Sequence, residues 1–199
     1  MANVQHSALT GAELHEPKGV AAATSKQVYI SDGSTSGAWT DWPTGFGYYL
    51  DAGASQSIST TESLISIDKA GTATNETALP RAIRGVGTLW ASDKITPIAV
   101  GDAYEIRLDI PVTAKAGSPA EVTLTFDIGG STFGSAVAIV ENYYPTGKAT
   151  PYTISISTTL FTAATFVANG CQIWAATDTG TLTVLNPGIL ITRVHGGGI

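Results

Sequence analysis

Two stretches in the middle of this chain alternate apolar and polar residues with a period of two, and nothing else in it restricts the fold so strongly. From Ala103 to Val112, Tyr104, Ile106, Leu108 and Ile110 fall on one side and Glu105, Arg107 and Asp109 on the other. Glu121 to Ile128 repeats the device, with Val122, Leu124, Phe126 and Ile128 set against Glu121, Thr123, Thr125 and Asp127. Successive side chains of a strand point to opposite faces, so this text predicts antiparallel sheets with one buried and one wet face.

Other short runs read as strands too: Phe46 to Tyr49, Ser55 to Ser59, Ser63 to Ile67, Ser135 to Val140, Tyr152 to Ser157, Cys171 to Ala176, Gly180 to Val184 and Ile189 to Val194. Asn169-Gly170 and Asp178-Thr179-Gly180 punctuate them as turns, and Lys69 to Leu79 reads as a surface loop. No segment after Val20 has a helical period, and there is no strand-helix alternation. The expected fold is all-β, a jelly-roll-like antiparallel sandwich.

The N-terminal part differs in kind. Ser7 to His15 holds one candidate helical turn, with Thr10 and Glu13 spaced as a capping box and Pro17 as its stop. Gln27 to Thr40 then reads as two strands around Asp32-Gly33. We therefore expect two parts: an extended arm with a short hairpin over residues 1–42, and a sandwich head over residues 43–199.

Only 13% of residues are charged, about half the usual share. Ser, Thr, Ala and Gly take the place of charge on solvent faces, which suits close packing against neighbours. The net charge of -6 and scattered cations argue against a nucleic-acid partner. No uninterrupted apolar run has the length of a membrane span, and the N-terminus lacks a signal-peptide pattern, so synthesis in a host cytoplasm is expected. The single cysteine, Cys171, excludes an intrachain disulfide and reads as a small buried strand residue.

Candidate chemistry is sparse. His6 and His15 lack metal-ligand spacing, and His195 reads as a solvated or interface residue. Glu105 with Asp109, and Glu121 with Asp127, are carboxylates that the strand alternation already explains. Arg84-Gly85-Val86-Gly87 has no following Lys-Ser/Thr, and the loops of Asp93, Asp102 and Asp178 lack the dense register of a calcium loop. Trp39, Trp42, Trp90 and Trp174 read as core or contact anchors rather than sugar platforms. No catalytic residue, metal or cofactor is expected, and the chain reads as a non-enzyme.

Two stretches carry a resemblance. His6-Ser7-Ala8-Leu9-Thr10-Gly11-Ala12-Glu13-Leu14-His15-Glu16-Pro17-Lys18-Gly19, followed by the glycine hairpin, resembles the leader of virion proteins of tailed bacteriophages, the head-fibre, capsid-decoration and short-fibre proteins. Leu79 to Ile83, Leu89-Trp90, Lys94 to Pro97, Gly101 to Arg107, Asn169-Gly170 and Ile191 to Arg193 are similar to their trimer-forming sandwich. The resemblance implies a homotrimer of jelly-roll (TNF-like) heads on the capsid exterior, reinforcing the shell. His6, Leu9, Leu14, His15, Pro17 and Val20 of the arm would contact the major capsid protein of the same virion, and Tyr104, Trp174 and Arg193 would lie at the trimer interface. The alternative is a short tail-fibre or receptor-binding head that recognises host-surface glycans through residues 69–79 or 142–151.

Overall fold

The structure, a computed structural model, describes residues 27–31, 37–41, 44–80, 82–119, 121–130, 133–143 and 150–196. The chain divides into two units, Met1–Trp42 and Pro43–Ile199. In the first, β1 (Gln27–Ser31) pairs antiparallel with β2 (Gly37–Asp41), and the register sets Tyr29 opposite Trp39. Their rings meet edge to face, with centroids 5.5 Å apart, a cross-strand aromatic pair of the kind that steadies a hairpin. The candidate turn at residues 7–15, the Asp32-Gly33 turn and Trp42 lie outside the described residues.

The second unit contains β3 (Gly45–Leu50), β4 (Gln56–Ile58), β5 (Ser63–Leu64), β6 (Trp90–Ala91), β7 (Lys94–Ile95), β8 (Ala103–Ala116), β9 (Glu121–Asp127), β10 (Ala136–Tyr143), β11 (Tyr152–Phe161), α1 (Ala164–Asn169), β12 (Gln172–Thr177), β13 (Thr181–Val184) and β14 (Gly188–His195). Its larger sheet runs β3-β14-β8-β13-β4, with β11 also on β8; the smaller runs β10-β9-β12-β5. All pairings are antiparallel.

Strand β8 is the spine. One flank carries β11, from Tyr152 opposite Val112 to Phe161 opposite Ala103. The other flank carries β14 as far as Asp109 and then β13 from Val112 onward. Pro111 stands where the partner changes, and its carbonyl accepts the Leu185 N–H at 3.0 Å. A residue without an N–H is tolerated inside a central strand at such a break in the ladder.

The two sheets enclose one core. Ile106, Leu108, Ile110 and Val112 of β8 are fully buried together with Val122, Leu124 and Phe126 of β9 and Ile173 of β12. Burying each such side chain stabilises the fold by about 1.5–3 kcal/mol relative to exposure, and this places the two alternating stretches face to face.

Three departures from the sequence expectation have local causes. Helix α1 is only 6 residues long, too short for a 3.6-residue period to register, and it ends where the Gly170 N–H reaches Phe166 O at 2.8 Å. Strands β6 and β7 flank Ser92-Asp93, which turn with φ of 52° and 57° without a glycine to mark them. The wet face of β9 is wet only in part, because Thr125 and Asp127 are 4% and 0% exposed.

Candidate functional site

The buried polar groups are where the sequence left most room for chemistry, and two buried carboxylates, Asp102 and Asp127, hold a strand end and a loop. Asp102 precedes β8 and is 0% exposed. Its Oδ1 accepts Arg193 Nη2 at 2.6 Å, and its Oδ2 accepts the Tyr104 hydroxyl at 2.7 Å and the Ala99 N–H at 3.1 Å. The Tyr104 oxygen in turn accepts the Ile98 N–H at 2.9 Å. Burial and the neighbouring Asp102 carboxylate raise the Tyr104 phenol above its usual range, so it remains a neutral donor. Tyr104 and Arg193, expected at a trimer interface, come together within one chain, at 0% and 7% exposure there.

Asp127, at the end of β9, is a second anchor. Its Oδ1 accepts Gly129 N–H at 2.7 Å, while Oδ2 accepts those of Gly134 and Ser135 at 2.8 and 2.6 Å. The carboxylate thus gathers both ends of the loop from Gly129 to Ser135. Phe133 of that loop meets Trp174 edge to face, with centroids 5.7 Å apart. Trp174 pairs with Thr125 across the sheet, so the loop side chain reaches the outer face of β9 and β12. The third expected interface residue is therefore half-buried under its own chain's loop. Asp127, spent on three backbone donors, is no partner for Glu121 in acid-base chemistry.

Cys171 is fully buried beside this anchor. Burial, reinforced by the Asp127 carboxylate, pushes its thiol from 9.0 to about 12, which leaves it unreactive as a nucleophile. His195 is exposed at the end of β14. Among the described residues no three His, Cys, Asp or Glu side chains converge as a metal-binding group. No helix among them is long and apolar enough to cross a membrane.

What remains available for recognition is surface. The outer face of the larger sheet presents Ser155, Ser157 and Thr159 of β11 beside Asp109, Arg107 and Glu105 of β8. At one end of that sheet stand exposed apolar side chains: Phe161 at 77%, Phe46 at 40% and Val194 at 44%. Val194 lies in the bulge between Arg193 and His195, and Phe46 is opposite Thr192. Alternation predicted that one face of each sheet would be solvated; which of its ends would be apolar needed the register. Elsewhere Glu76, Leu79, Val86 and Thr88 help line an open depression of about 580 Å³. Trp90, read from the sequence as a core or contact anchor, is wholly in the core, its Nε1 donating to Ile67 O at 2.9 Å. His6, Leu9, Leu14, His15, Pro17 and Val20 lie outside the described residues, as do residues 144–149 of the second candidate glycan loop.

No protein-family model matches the chain, and no curated protein matches it in sequence. Solved structures do match in shape. The PRD1 vertex protein P5 aligns at a TM-score of 0.50 and 14% identity, covering 87% of this chain and 84% of that one. The Eiger TNF from S. frugiperda aligns at a TM-score of 0.44 and 9% identity, covering 80% and 97%. The head is a jelly-roll-like antiparallel sandwich.

Proposed function

We propose that this chain is a structural virion protein of a bacteriophage that binds the outer surface of the capsid as a homotrimer and decorates or reinforces the shell. The observation that carries the reading is the shared fold with a phage vertex protein over most of both chains. The physical character of the head supports it. Its buried Asp102 and Asp127 carboxylates are spent on anchoring strands and a loop, and its larger sheet offers a hydroxyl-rich face with exposed Phe161, Phe46 and Val194 at one end. Low charge and an apolar rim favour packing against other subunits over turnover of a small molecule.

In this reading residues 1–42 are the anchor and the head stands outward. The arm contributes His6, Leu9, Leu14, His15, Pro17 and Val20 to the major capsid protein. Three arms on one trimer multiply a weak contact, because the second and third bind at high effective concentration. Deletion of residues 2–20 tests this: the truncated protein sediments as the same oligomer yet no longer co-purifies with particles. A truncated protein that still coats capsids would overturn the role of the arm, and a monomeric full-length protein would overturn the trimer.

A further inference from the structure

At the exit of β3 the chain turns Asp51 inward, to 3% exposure, while Ala52 and Gly53 run over the surface. Asp51 Oδ1 accepts the Asp68 N–H at 3.0 Å, but Oδ2 is buried and meets no N–H or O–H donor. Asp68, on the facing loop, is exposed. Its Oδ1 accepts the N–H groups of Ala70 and Ala52 at 2.8 and 3.0 Å, and its carboxyl lies within hydrogen-bond reach of that of Asp51. Backbone donors, chiefly Ala70 and Ala52, hold the Asp68 carboxyl below its usual range. Lys69 does not relieve the pair, since its ammonium turns to Glu76 at 3.5 Å.

Gly53 defines the space between the two carboxylates. A Cβ on it would lie 3.3 and 3.4 Å from Asp51 Oδ1 and Oδ2 and 3.5 Å from Asp68 Oδ2. Three carboxylate oxygens therefore face one point that holds no side chain. On its other side Asp68 borders a depression of about 270 Å³ that Asp93 also lines. A buried carboxylate oxygen without a donor costs on the order of 1–3 kcal/mol or more, and a second carboxylate beside it raises that cost. Either a proton shared between the carboxyls or a bound cation removes the penalty.

We propose that Asp51, Asp68 and the side-chain-free space at Gly53 form a calcium site that ties the loop after β3 to the loop after β5. Carboxylate oxygens are the hard ligands calcium takes, and water at the exposed edge completes its coordination. Magnesium suits the corner less, because it demands near-octahedral geometry and surrenders its water reluctantly. With two carboxylates, affinity falls in the range of about 0.1–1 mM.

Calcium alone is the probe. Full-length protein stripped with chelator is melted with and without calcium, and with magnesium at the same concentration. About 10 mM calcium raises Tm by roughly 3–6 °C, and magnesium does not reproduce the shift. Asp68→Asn removes the shift. Gly53→Ala is the second variant; its backbone lies outside the left-handed region, so it keeps the chelated Tm and loses the calcium response. An unchanged Tm with calcium, an equal shift in both variants, or an equal effect of magnesium overturns the site. So does a Tm that rises on acidification while calcium has no effect, which assigns the corner to a shared proton.

Discussion

Arg193 donates from Nη2 to Asp102 Oδ1 at 2.6 Å, across 91 positions of sequence, with both side chains 8% exposed or less. The pair joins β14 to the root of β8 at the edge of the core. Because Asp102 also accepts from Tyr104 and Ala99, its carboxylate is held by donors on three sides.

Removing the guanidinium leaves that carboxylate buried without its counter-charge. Arg193→Met is expected to cost about 3–5 kcal/mol, read as a lowered urea midpoint. Adding Asp102→Asn to it recovers part of the loss, since the uncompensated charge disappears. A double variant weaker than the single one would contradict this account.

Asp127→Ala removes the acceptor of three backbone N–H groups at once. Stability falls by about 1–3 kcal/mol, because three loop donors lose a charged partner that is itself buried. The loop then releases Phe133 from Trp174, and tryptophan emission shifts to the red in the native state. Unchanged emission would mean that Phe133 keeps its place without the anchor.

Alkaline pH acts through the Tyr104 phenol and through two further groups that bind their protons more tightly when folded. Burial, the leading cause in both, raises the Tyr49 phenol from 10.0 to about 12 and the Cys171 thiol from 9.0 to about 12. Their contribution is complete below the unfolded values and lost as pH climbs toward the folded ones. Stability is expected to fall steeply between pH 9.0 and about 12. Cys171→Ala flattens the lower part of that fall. Thiol reagents at neutral pH modify Cys171 at least about 100-fold more slowly in the native protein than in urea.

Gly180 closes the turn between β12 and β13 at φ 66°, and a Cβ there would run into Ala116 O. Gly180→Ala is expected to cost about 2 kcal/mol or more, from a strained backbone and a clash that no rotamer relieves. Thermal unfolding checks it, with Gly85→Ala as a contrast; that position shares a positive φ but has nothing near its Cβ.

How much of this was legible in the sequence differs by element. The alternation of β8 and β9 was, because period-two burial is written directly in residue type. The turn at Asp178 to Gly180 was too, since Gly180 needs a conformation that other residues resist. Asp127 misled: its place in the alternation is that of a wet-face residue, and only the loop folding back makes it an anchor. Tyr104 and Arg193 belong together, but pairing positions 91 apart has no local signal. The Asp51 and Asp68 corner was passed over for the same reason, since neither loop carries a dense acidic register and the convergence is three-dimensional.

The pairing of β3 with β14 sets Phe46 opposite Thr192, so the first strand of the head waits for the last. A growing chain cannot complete its larger sheet until β14 has left the ribosome, and until then the edge of β8 that β14 covers stays open to other strands. Closure of the sheet therefore comes last, when Arg193 on β14 reaches Asp102 at the root of β8 and completes their ion pair.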